Sequence, residues 1–187
     1  MEFFDYIQQV DLSVVRFVRE HIANAFFDFI MPIITLFGED GIFWIAVTLF
    51  MLIFKKTRKT GFVMALSLIF GLVVGNLTLK PLVARERPYT IDTHVKMLID
   101  GLSDYSFPSG HTLACFECAV SLVLCRYKKW GSAALALAFL VAFSRIYLYV
   151  HYPTDVIVGA ILGTAFAFCA YYIVNKAYKK YEKSKTL

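Results

Sequence analysis

Two uncharged stretches of 20 residues constrain the fold of this chain more than any other feature. They cover residues 60–79 and 156–175, and neither contains Asp, Glu, Lys or Arg. A helix needs about 20 consecutive apolar residues to cross the hydrocarbon core of a bilayer. Both stretches therefore predict transmembrane helices.

Four further apolar runs are shorter or interrupted, and they cover residues 22–38, 41–54, 112–125 and 130–144. The first contains Asp28 and Pro32, and the third contains Glu117. With the two long runs they predict an all-α, polytopic membrane protein with a bundle of six transmembrane helices. The hydrophobic share of 59% exceeds that of typical soluble domains. The length of 187 residues allows one membrane-embedded domain, residues 1–187.

The N-terminal 20 residues have a different pattern from the apolar runs. Apolar side chains recur at helical spacing, but charged residues interrupt them at Asp5, Asp11, Arg16 and Arg19. A helix with one apolar and one charged face is typical of a membrane surface. We therefore expect residues 1–20 to form an amphipathic interfacial helix. The order of a cleaved signal peptide, basic then apolar then small residues, is missing from this stretch.

Lys and Arg cluster at one predicted end of the bundle. Twelve of them lie in the loops after residues 54 and 125 and in the basic tail, residues 176–187, if the chain first turns near Glu39 and Asp40. An excess of Lys and Arg marks the cytoplasmic side of a membrane protein. The C-terminus is thus predicted to be cytoplasmic. The net charge of +5 is explained by clusters next to apolar runs, which favours contact with membrane lipids over nucleic acid.

Three polar stretches interrupt the apolar runs at the opposite, extracytoplasmic end. They read KPLVARERP (80–88), FPSGHT (107–112) and SRIYLYVHYPTD (144–155). Together they supply three cations, two imidazoles and one carboxylate, which are Lys80, Arg87, Arg145, His111, His151 and Asp155. A phosphomonoester carries nearly two negative charges, which Arg binds with a planar fork and Lys binds as a point charge. This inventory predicts a site that binds a phosphate ester and cleaves it.

The second stretch stands at the start of the predicted helix 112–125. Free backbone N–H groups and the helix dipole make such a position an anion site. Gly110 allows close backbone approach, and Ser109 adds a hydroxyl donor. Taken alone, an ordinary helix cap with an interfacial histidine explains this tetrapeptide equally well. An interfacial anchor likewise explains Lys80 and Arg87 taken alone.

The third stretch holds the proposed nucleophile. His151 and Asp155 are four residues apart, and Pro153 lies at the first turn of the last helix. Asp155 can accept a hydrogen bond from one imidazole nitrogen and leave the other free to attack. A structural capping pair is the alternative. Arg145 lies at the outer end of the preceding helix.

In order, the three stretches read KxxxxxxRP, PSGH and SRxxxxxHxxxD. This pattern resembles the phosphatidic acid phosphatase type 2 and haloperoxidase superfamily, and within it the small bacterial membrane lipid-phosphate phosphatases, over about residues 22–175. The resemblance implies a six-helix core and a hydrolase that uses no metal or other cofactor. It implies that His151 becomes phosphohistidine, that His111 is the general acid and that Asp155 is the partner of the nucleophile. It further implies phosphate binding by Lys80, Arg87, Ser109, Gly110 and Arg145.

The resemblance also implies a lipid phosphate or diphosphate as substrate, presented at the membrane surface. Undecaprenyl diphosphate is our first expectation, and phosphatidylglycerophosphate or phosphatidate is the second. A lipid phosphotransferase remains open, and so does the oligomeric state. A different class, an anion transporter, is disfavoured because the cations gather at one face instead of the bilayer midplane.

Several other polar residues have less certain roles. Glu117 and Asp28 lie inside predicted spans, where ionisable groups usually face the bundle interior, so we expect internal hydrogen bonds and leave substrate contact open. Tyr89, Asp92 and His94 either line a head-group pocket or face water. The four cysteines all fall in apolar segments and are expected to pack as small apolar residues; they are Cys115, Cys118, Cys125 and Cys169.

Overall fold

A computed structural model describes residues 2–185 of the chain, with side chains from Phe4 onward. Most of these residues are helical and none of them lies in a β-strand, so the predicted all-α class is confirmed. Residue 1 of the predicted interfacial helix lies outside the described residues. Residues 186 and 187 of the predicted basic tail lie outside them as well.

The α-helices in chain order are α1 (Glu2–His21), α2 (Ala25–Thr35), α3 (Ile42–Ile53), α4 (Arg58–Phe70), α5 (Lys80–Val83), α6 (Pro88–Ile91), α7 (Gly110–Leu124), α8 (Lys128–Tyr147) and α9 (Pro153–Lys185). A 3₁₀ segment, Leu36–Gly41, joins α2 to α3, and π-helical turns, Gly71–Leu79, continue α4 into α5. The backbone leaves helical geometry at Glu39 and Asp40. This break coincides with the turn predicted there.

Within residues 2–185, four helical stretches are long and apolar enough to cross a membrane, and they are Ala25–Ile53, Arg58–Ile91, Lys128–Tyr147 and Pro153–Lys185. The first contains the break at Glu39 and therefore covers two of the predicted spans. α7 is apolar but has only 15 residues. That length corresponds to about 22 Å, less than the roughly 30 Å hydrocarbon core. The protein is a multi-pass membrane protein, and the count of six spans stays a prediction.

α7 lies at the centre of the bundle, with most of its residues buried. α9 approaches it most closely at Gly159 and Gly163, where a Cβ would lie 2.8 Å from the carbonyl oxygen of Ser109 and 2.6 Å from that of Leu113. Small residues four apart allow two membrane helices to come this close. The start of α7 consequently lies against the first turn of α9, where the Ser109 N–H donates to the Asp155 carbonyl oxygen at 3.1 Å. The second and third motifs meet at this contact.

α1 has the two faces expected of an amphipathic helix. Val15 and Val18 are buried against the protein, whereas Val14 and Phe17 are exposed. The helix is therefore present where the sequence predicted it. Its position at a membrane surface stays a prediction.

The basic clusters share one end of the bundle, as their spacing predicted. The Tyr127 hydroxyl donates to the Lys56 carbonyl oxygen at 3.5 Å, which brings the loop after α3 next to the loop after α7. The Lys59 amine lies 5.6 Å from the ring centroid of Tyr178, which belongs to the distal part of α9. The side of the membrane that this end occupies stays a prediction.

Candidate active site

The polar motif residues meet at the end of the bundle opposite the basic clusters, around a cavity of about 750 Å³. Lys80 begins α5, His111 lies in the first turn of α7, and Arg145 lies in the last turn of α8. Arg87 directly precedes α6, and His151 lies between α8 and α9. All five side chains line the cavity. The structure therefore brings together residues up to 71 positions apart around one volume.

His151 and Asp155 face each other across the start of α9. Nδ1 of His151 lies 3.5 Å from Oδ2 of Asp155, which is longer than a hydrogen bond. The same carboxyl oxygen accepts the Tyr152 N–H at 2.9 Å. Nε2 of His151 lies 3.3 Å from Nη1 of Arg87. Since a guanidinium only donates, Nε2 accepts there, which assigns the ring proton to Nδ1 on the Asp155 side.

The charge state of His151 suits a nucleophile. The ring is buried and lies outside the helices that could cross the membrane. Burial first, and then the positive charges of the surrounding Arg and Lys side chains, hold the pKa of His151 well below its ordinary value. The imidazole is therefore neutral at neutral pH, and the lone pair of Nε2 faces the cavity cations.

His111 lines the same cavity as His151, with Glu39 beside it. Nε2 of His111 is 3.7 Å from Oε2 of Glu39, and no described residue hydrogen-bonds to this nitrogen. Gly38 packs directly on the ring, since a Cβ there would lie 2.8 Å from Cδ2 of His111. The break between α2 and α3 thus brings a carboxylate to the candidate general acid. The sequence predicted this turn but not its contact with His111.

Arg87 is buried and uses all five of its N–H donors. Nε donates to the Asp104 carbonyl oxygen at 2.9 Å, and Nη2 donates to Oδ1 of Asp104 at 2.5 Å and to the Tyr105 carbonyl oxygen at 3.1 Å. Nη1 donates to the Val150 carbonyl oxygen at 2.7 Å and approaches Nε2 of His151. A phosphate oxygen can bind this guanidinium only by replacing one of these partners.

Arg145 differs from Arg87 in having donors to spare. It is buried, and its Nη1 donates to the hydroxyl of Thr35 at 2.5 Å. Its Nε and Nη2 hydrogen-bond to no residue within 2–185. Buried charged donors normally find acceptors. Because Arg145 lines the cavity, these two nitrogens fit an anion bound there.

Lys80 and Asp104 form an ion pair at the rim of the cavity. Asp104 lies in the loop before the second motif, and the half-exposed carboxylate bridges Lys80 and Arg87. Burial alone would raise the pKa of Asp104, but the hydrogen bond and charge of Lys80, followed by the charge of Arg87, lower it to about 2. The carboxylate is therefore ionised at neutral pH.

The two small residues of the second motif have different positions. Gly110 lines the cavity, and a Cβ there would lie 3.0 Å from Oδ1 of Asn76. The Ser109 hydroxyl instead caps α7, lying 3.0 Å from the Thr112 hydroxyl and accepting the Thr112 N–H at 3.4 Å. Ser109 is not among the cavity-lining residues. The hydroxyl donor expected at this position is thus turned into the helix end.

Arg85 is the main site residue that the sequence interpretation missed. Its Nη1 donates to Oδ1 of Asp155 and to the Thr154 hydroxyl, both at 2.7 Å. Its Nη2 donates to Oδ2 of Asp11 and to Oε1 of Gln8, both at 2.6 Å, and its Nε donates to the same Gln8 oxygen at 3.0 Å. Asp155, the predicted partner of the nucleophile, is thereby connected to α1.

The polar residues with open roles separate clearly. Among the described residues, Tyr89, Asp92, His94 and Asp28 do not line the cavity. Tyr89 hydrogen-bonds to the backbone of Leu102, Asp92 pairs with Arg16, and Asp28 accepts from Tyr147 at 2.6 Å. Glu117 does line the cavity, at its apolar part, and is fully buried beside Gly71.

Below the charged rim, the cavity continues as an apolar cleft between α3 and α4. Its walls include Leu49 and Leu52 on α3 and Leu68, Ile69 and Leu72 on α4 and the turns that follow it. A volume with charges at one end and leucine and isoleucine along its length matches an amphiphile with an anionic head. Among the described side chains, no group of three or more His, Cys, Asp or Glu could hold a metal ion.

The PAP2 superfamily model matches residues 56–179, which include all three motifs. The chain belongs to the PAP2 superfamily. The resemblance drawn from the motifs is therefore confirmed, and so is the expected class of enzyme, a membrane lipid phosphatase.

Individual relatives agree with this assignment. An undecaprenyl-diphosphatase of Sulfolobus acidocaldarius is 37% identical over 139 residues, which cover 74% of this chain and 66% of the relative. The structure resembles the crystal structure of Aquifex aeolicus LpxE, with a TM-score of 0.76, 25% identity and coverage of 86% of this chain and 94% of that one. It also resembles a PAP2-type phosphatidylglycerolphosphate phosphatase of Bacillus subtilis, with a TM-score of 0.72, 27% identity and coverage of 94% and 87%.

Proposed function

We propose that this protein removes the terminal phosphate of undecaprenyl diphosphate through a phosphohistidine intermediate on His151. The observation that carries the proposal is the composition of the cavity: three cations and two imidazoles at one end, continued by an apolar cleft. A phosphate head and an apolar tail are thus accommodated in one volume. The similarity to an undecaprenyl-diphosphatase of Sulfolobus acidocaldarius supports the polyprenyl substrate.

In the proposed first step, Nε2 of His151 attacks phosphorus and the bond to the bridging oxygen breaks. His111 protonates the departing oxygen, so that undecaprenyl phosphate leaves. Lys80, Arg87 and Arg145 neutralise the charge on the equatorial oxygens, which is the largest contribution expected in phosphoryl transfer. In the second step His111 takes a proton from water, which attacks phosphorus and releases inorganic phosphate and free His151.

Asp155 keeps the nucleophile in the required tautomer. A proton on Nδ1 facing Asp155 leaves the lone pair on Nε2, and the carboxylate stabilises the positive charge that develops on the ring. This role needs the carboxylate near Nδ1, which the separation of 3.5 Å supports.

The active site is proposed to face the extracytoplasmic side. The basic clusters lie at the end opposite the cavity, and the positive-inside rule assigns that end to the cytoplasm. A lipid diphosphate in the outer leaflet would then enter the cleft between α3 and α4 with its head at the rim.

Phosphatidylglycerophosphate is the second candidate substrate, because the similar Bacillus subtilis structure is that of a phosphatidylglycerolphosphate phosphatase. Purified protein in detergent is given undecaprenyl diphosphate, phosphatidylglycerophosphate and phosphatidate in turn, and released phosphate is measured. We expect the highest kcat/KM with the diphosphate. A preference for either glycerolipid would change the proposed substrate but not the proposed reaction. Adding an acceptor alcohol tests phosphotransfer, because a phosphotransferase would pass the phosphate to the alcohol instead of to water.

His151→Ala tests catalysis itself. We expect this variant to release no phosphate and to incorporate no acid-labile radioactive phosphate, whereas the wild type is labelled transiently. His94→Ala is the matched control, because His94 is exposed and does not line the cavity. Phosphate release by folded His151→Ala would contradict the mechanism. Retained anion flux into vesicles without hydrolysis would favour the transporter alternative.

A further inference from the structure

Asp104 occupies the donors of two of the three candidate phosphate-binding cations. One carboxyl oxygen pairs with the Lys80 amine, and the other accepts Nη2 of Arg87 at 2.5 Å. The geometry is that of an anion bound between a lysine and an arginine. A carboxylate of the protein therefore binds where phosphate oxygens of the substrate are expected to bind.

Because every N–H donor of Arg87 is in use, a bound phosphate has to compete with Asp104 for this guanidinium. All five N–H groups are engaged, three of them with backbone carbonyl oxygens. The other two face Nε2 of His151 and Oδ1 of Asp104. The lone pair of His151 must be released for attack in any case. Oδ1 of Asp104 is the remaining side-chain acceptor that a phosphate oxygen can replace without unfolding the loop.

The loop around Asp104 is attached on both sides, so its side chain can move alone. The Tyr89 hydroxyl donates to the Leu102 carbonyl oxygen at 2.8 Å and accepts the Leu102 N–H at 3.0 Å. The Ser106 N–H donates to the Arg85 carbonyl oxygen at 2.9 Å. The side chain of Asp104 is 49% exposed, so the carboxylate can rotate into water, where it is fully solvated.

The negative charge of Asp104 determines the sign of its effect on phosphate affinity. A phosphomonoester carries nearly two negative charges, and a carboxylate that stays beside it repels it. A carboxylate that leaves gives up its bonds to Lys80 and Arg87. Either way, the free energy gained by the incoming phosphate is reduced relative to a site without Asp104.

We propose that the Asp104 carboxylate competes with phosphate for Lys80 and Arg87 and thereby weakens retention of inorganic phosphate after hydrolysis. The proposal rests on the proposed function, since it assigns these cations to the phosphate of substrate and product. It makes Asp104 a determinant of product affinity, distinct from the residues that bind the phosphate. The opposite role, in which Asp104 only orders the two cations, predicts an effect of opposite sign.

The test compares the wild type with Asp104→Asn, which keeps the size and one acceptor oxygen but removes the charge. Asp100→Asn is the matched control, because Asp100 lies in the same loop, is exposed and does not line the cavity. The dissociation constant of inorganic phosphate is measured by titration calorimetry, and its inhibition constant against lipid hydrolysis is measured in parallel. We expect both constants to fall roughly tenfold in Asp104→Asn and to stay unchanged in Asp100→Asn.

Unchanged or weaker phosphate binding in Asp104→Asn would overturn the proposal. Asp104→Ala serves as a second variant if Asp104→Asn unfolds at a lower temperature, and the same direction is expected. Failure of the proposed function gives a different result. In that case the wild type hydrolyses no lipid phosphate, while calorimetry with inorganic phosphate still measures the competition directly.

Discussion

Arg85 and Arg87 are two residues apart, and each uses all five of its N–H donors, but their partners differ in kind. The partners of Arg85 are side chains of α1 and α9, including the buried carboxylates of Asp11 and Asp155. Its guanidinium also lies 3.9 Å from the ring centroid of Tyr152. Arg87 instead contacts backbone carbonyl oxygens, the proposed nucleophile His151 and the half-exposed carboxylate of Asp104.

The difference distinguishes Arg85, which supports the site, from Arg87, which is proposed to bind phosphate. None of the acceptors around Arg85 is free to leave, since each belongs to a packed helix, and so this arginine holds Asp155 in place. Two of the acceptors around Arg87 can be released: in the proposed mechanism His151 attacks phosphorus, and the half-exposed Asp104 carboxylate can turn into water. The short KPLVARERP stretch thus contains one arginine whose partners are fixed, Arg85, and one whose partners can be replaced, Arg87.

Replacing Arg87, whose partners phosphate can displace, should have the largest effect on activity. Arg87→Ala removes a charged donor from the transition state, and we expect kcat to fall by about 10²–10³. Arg87→Lys should recover little of this, since an amine cannot reproduce the planar fork. Phosphate release at saturating substrate measures the effect. Activity of Arg87→Ala within threefold of the wild type would break the comparison.

Replacing the supporting arginine should reduce kcat less and leave KM nearly unchanged. For Arg85→Lys we expect a roughly tenfold loss of kcat, about 1.4 kcal/mol in the barrier. If Arg85 acts through Asp155, the loss in Arg85→Lys combined with Asp155→Asn should not exceed that of Asp155→Asn alone. Additive losses would mean that Arg85 affects the reaction by another route. Steady-state kinetics of all four proteins complete this cycle.

The contact between α1 and Arg85 should contribute to the free energy of unfolding. Asp11 is buried, and its neutral variant Asp11→Asn weakens a charge-assisted contact, which should cost about 1–2 kcal/mol. Arg16 lies on α1 like Asp11, and Arg16→Ala removes its 2.8 Å ion pair with Asp92, but the Arg16 side chain is 51% exposed. We expect it to cost about 0.5 kcal/mol or less. Thermal unfolding in detergent compares the two, and equal shifts would contradict a special role for Asp11.

The parts of the fold and site that sequence analysis predicted correctly depend on local patterns. Long uncharged runs predicted the long helices, and break residues near Glu39 predicted the first turn. The glycine spacing of Gly159 and Gly163 was present in the sequence, but its consequence, the close contact of α9 with α7, required the packing. The apolar composition of residues 112–125 predicted a helix there, which α7 confirms, and its crossing of the membrane stays a prediction.

The missed contacts all join residues far apart in the chain. Arg85 meets Gln8 and Asp11 across more than 70 residues, and no local pattern encodes that distance. One signal was available: Asp11 lies on the same helical face as Val15 and Val18, at spacings of four and three. A carboxylate on the buried stripe of an amphipathic helix needs a partner inside the protein. Asp104 offered no such signal, because the loop that holds it has no periodicity.

The smallest expected effect is the dependence of phosphate inhibition on pH. It distinguishes two ways in which Asp104 can leave Lys80 and Arg87, by movement of its side chain or by protonation of its carboxylate. The depressed pKa of Asp104, about 2, means that its contact with Lys80 and Arg87 is lost only as pH falls toward that value. The inhibition constants of the wild type and Asp104→Asn are both expressed per phosphate dianion, so that the titration of phosphate itself does not enter their ratio. The ratio of their inhibition constants for inorganic phosphate should therefore stay constant from about pH 6 to 9. A ratio that approached one at the acidic limit would mean that a group titrating near neutrality, and not this carboxylate, controls access to Arg87.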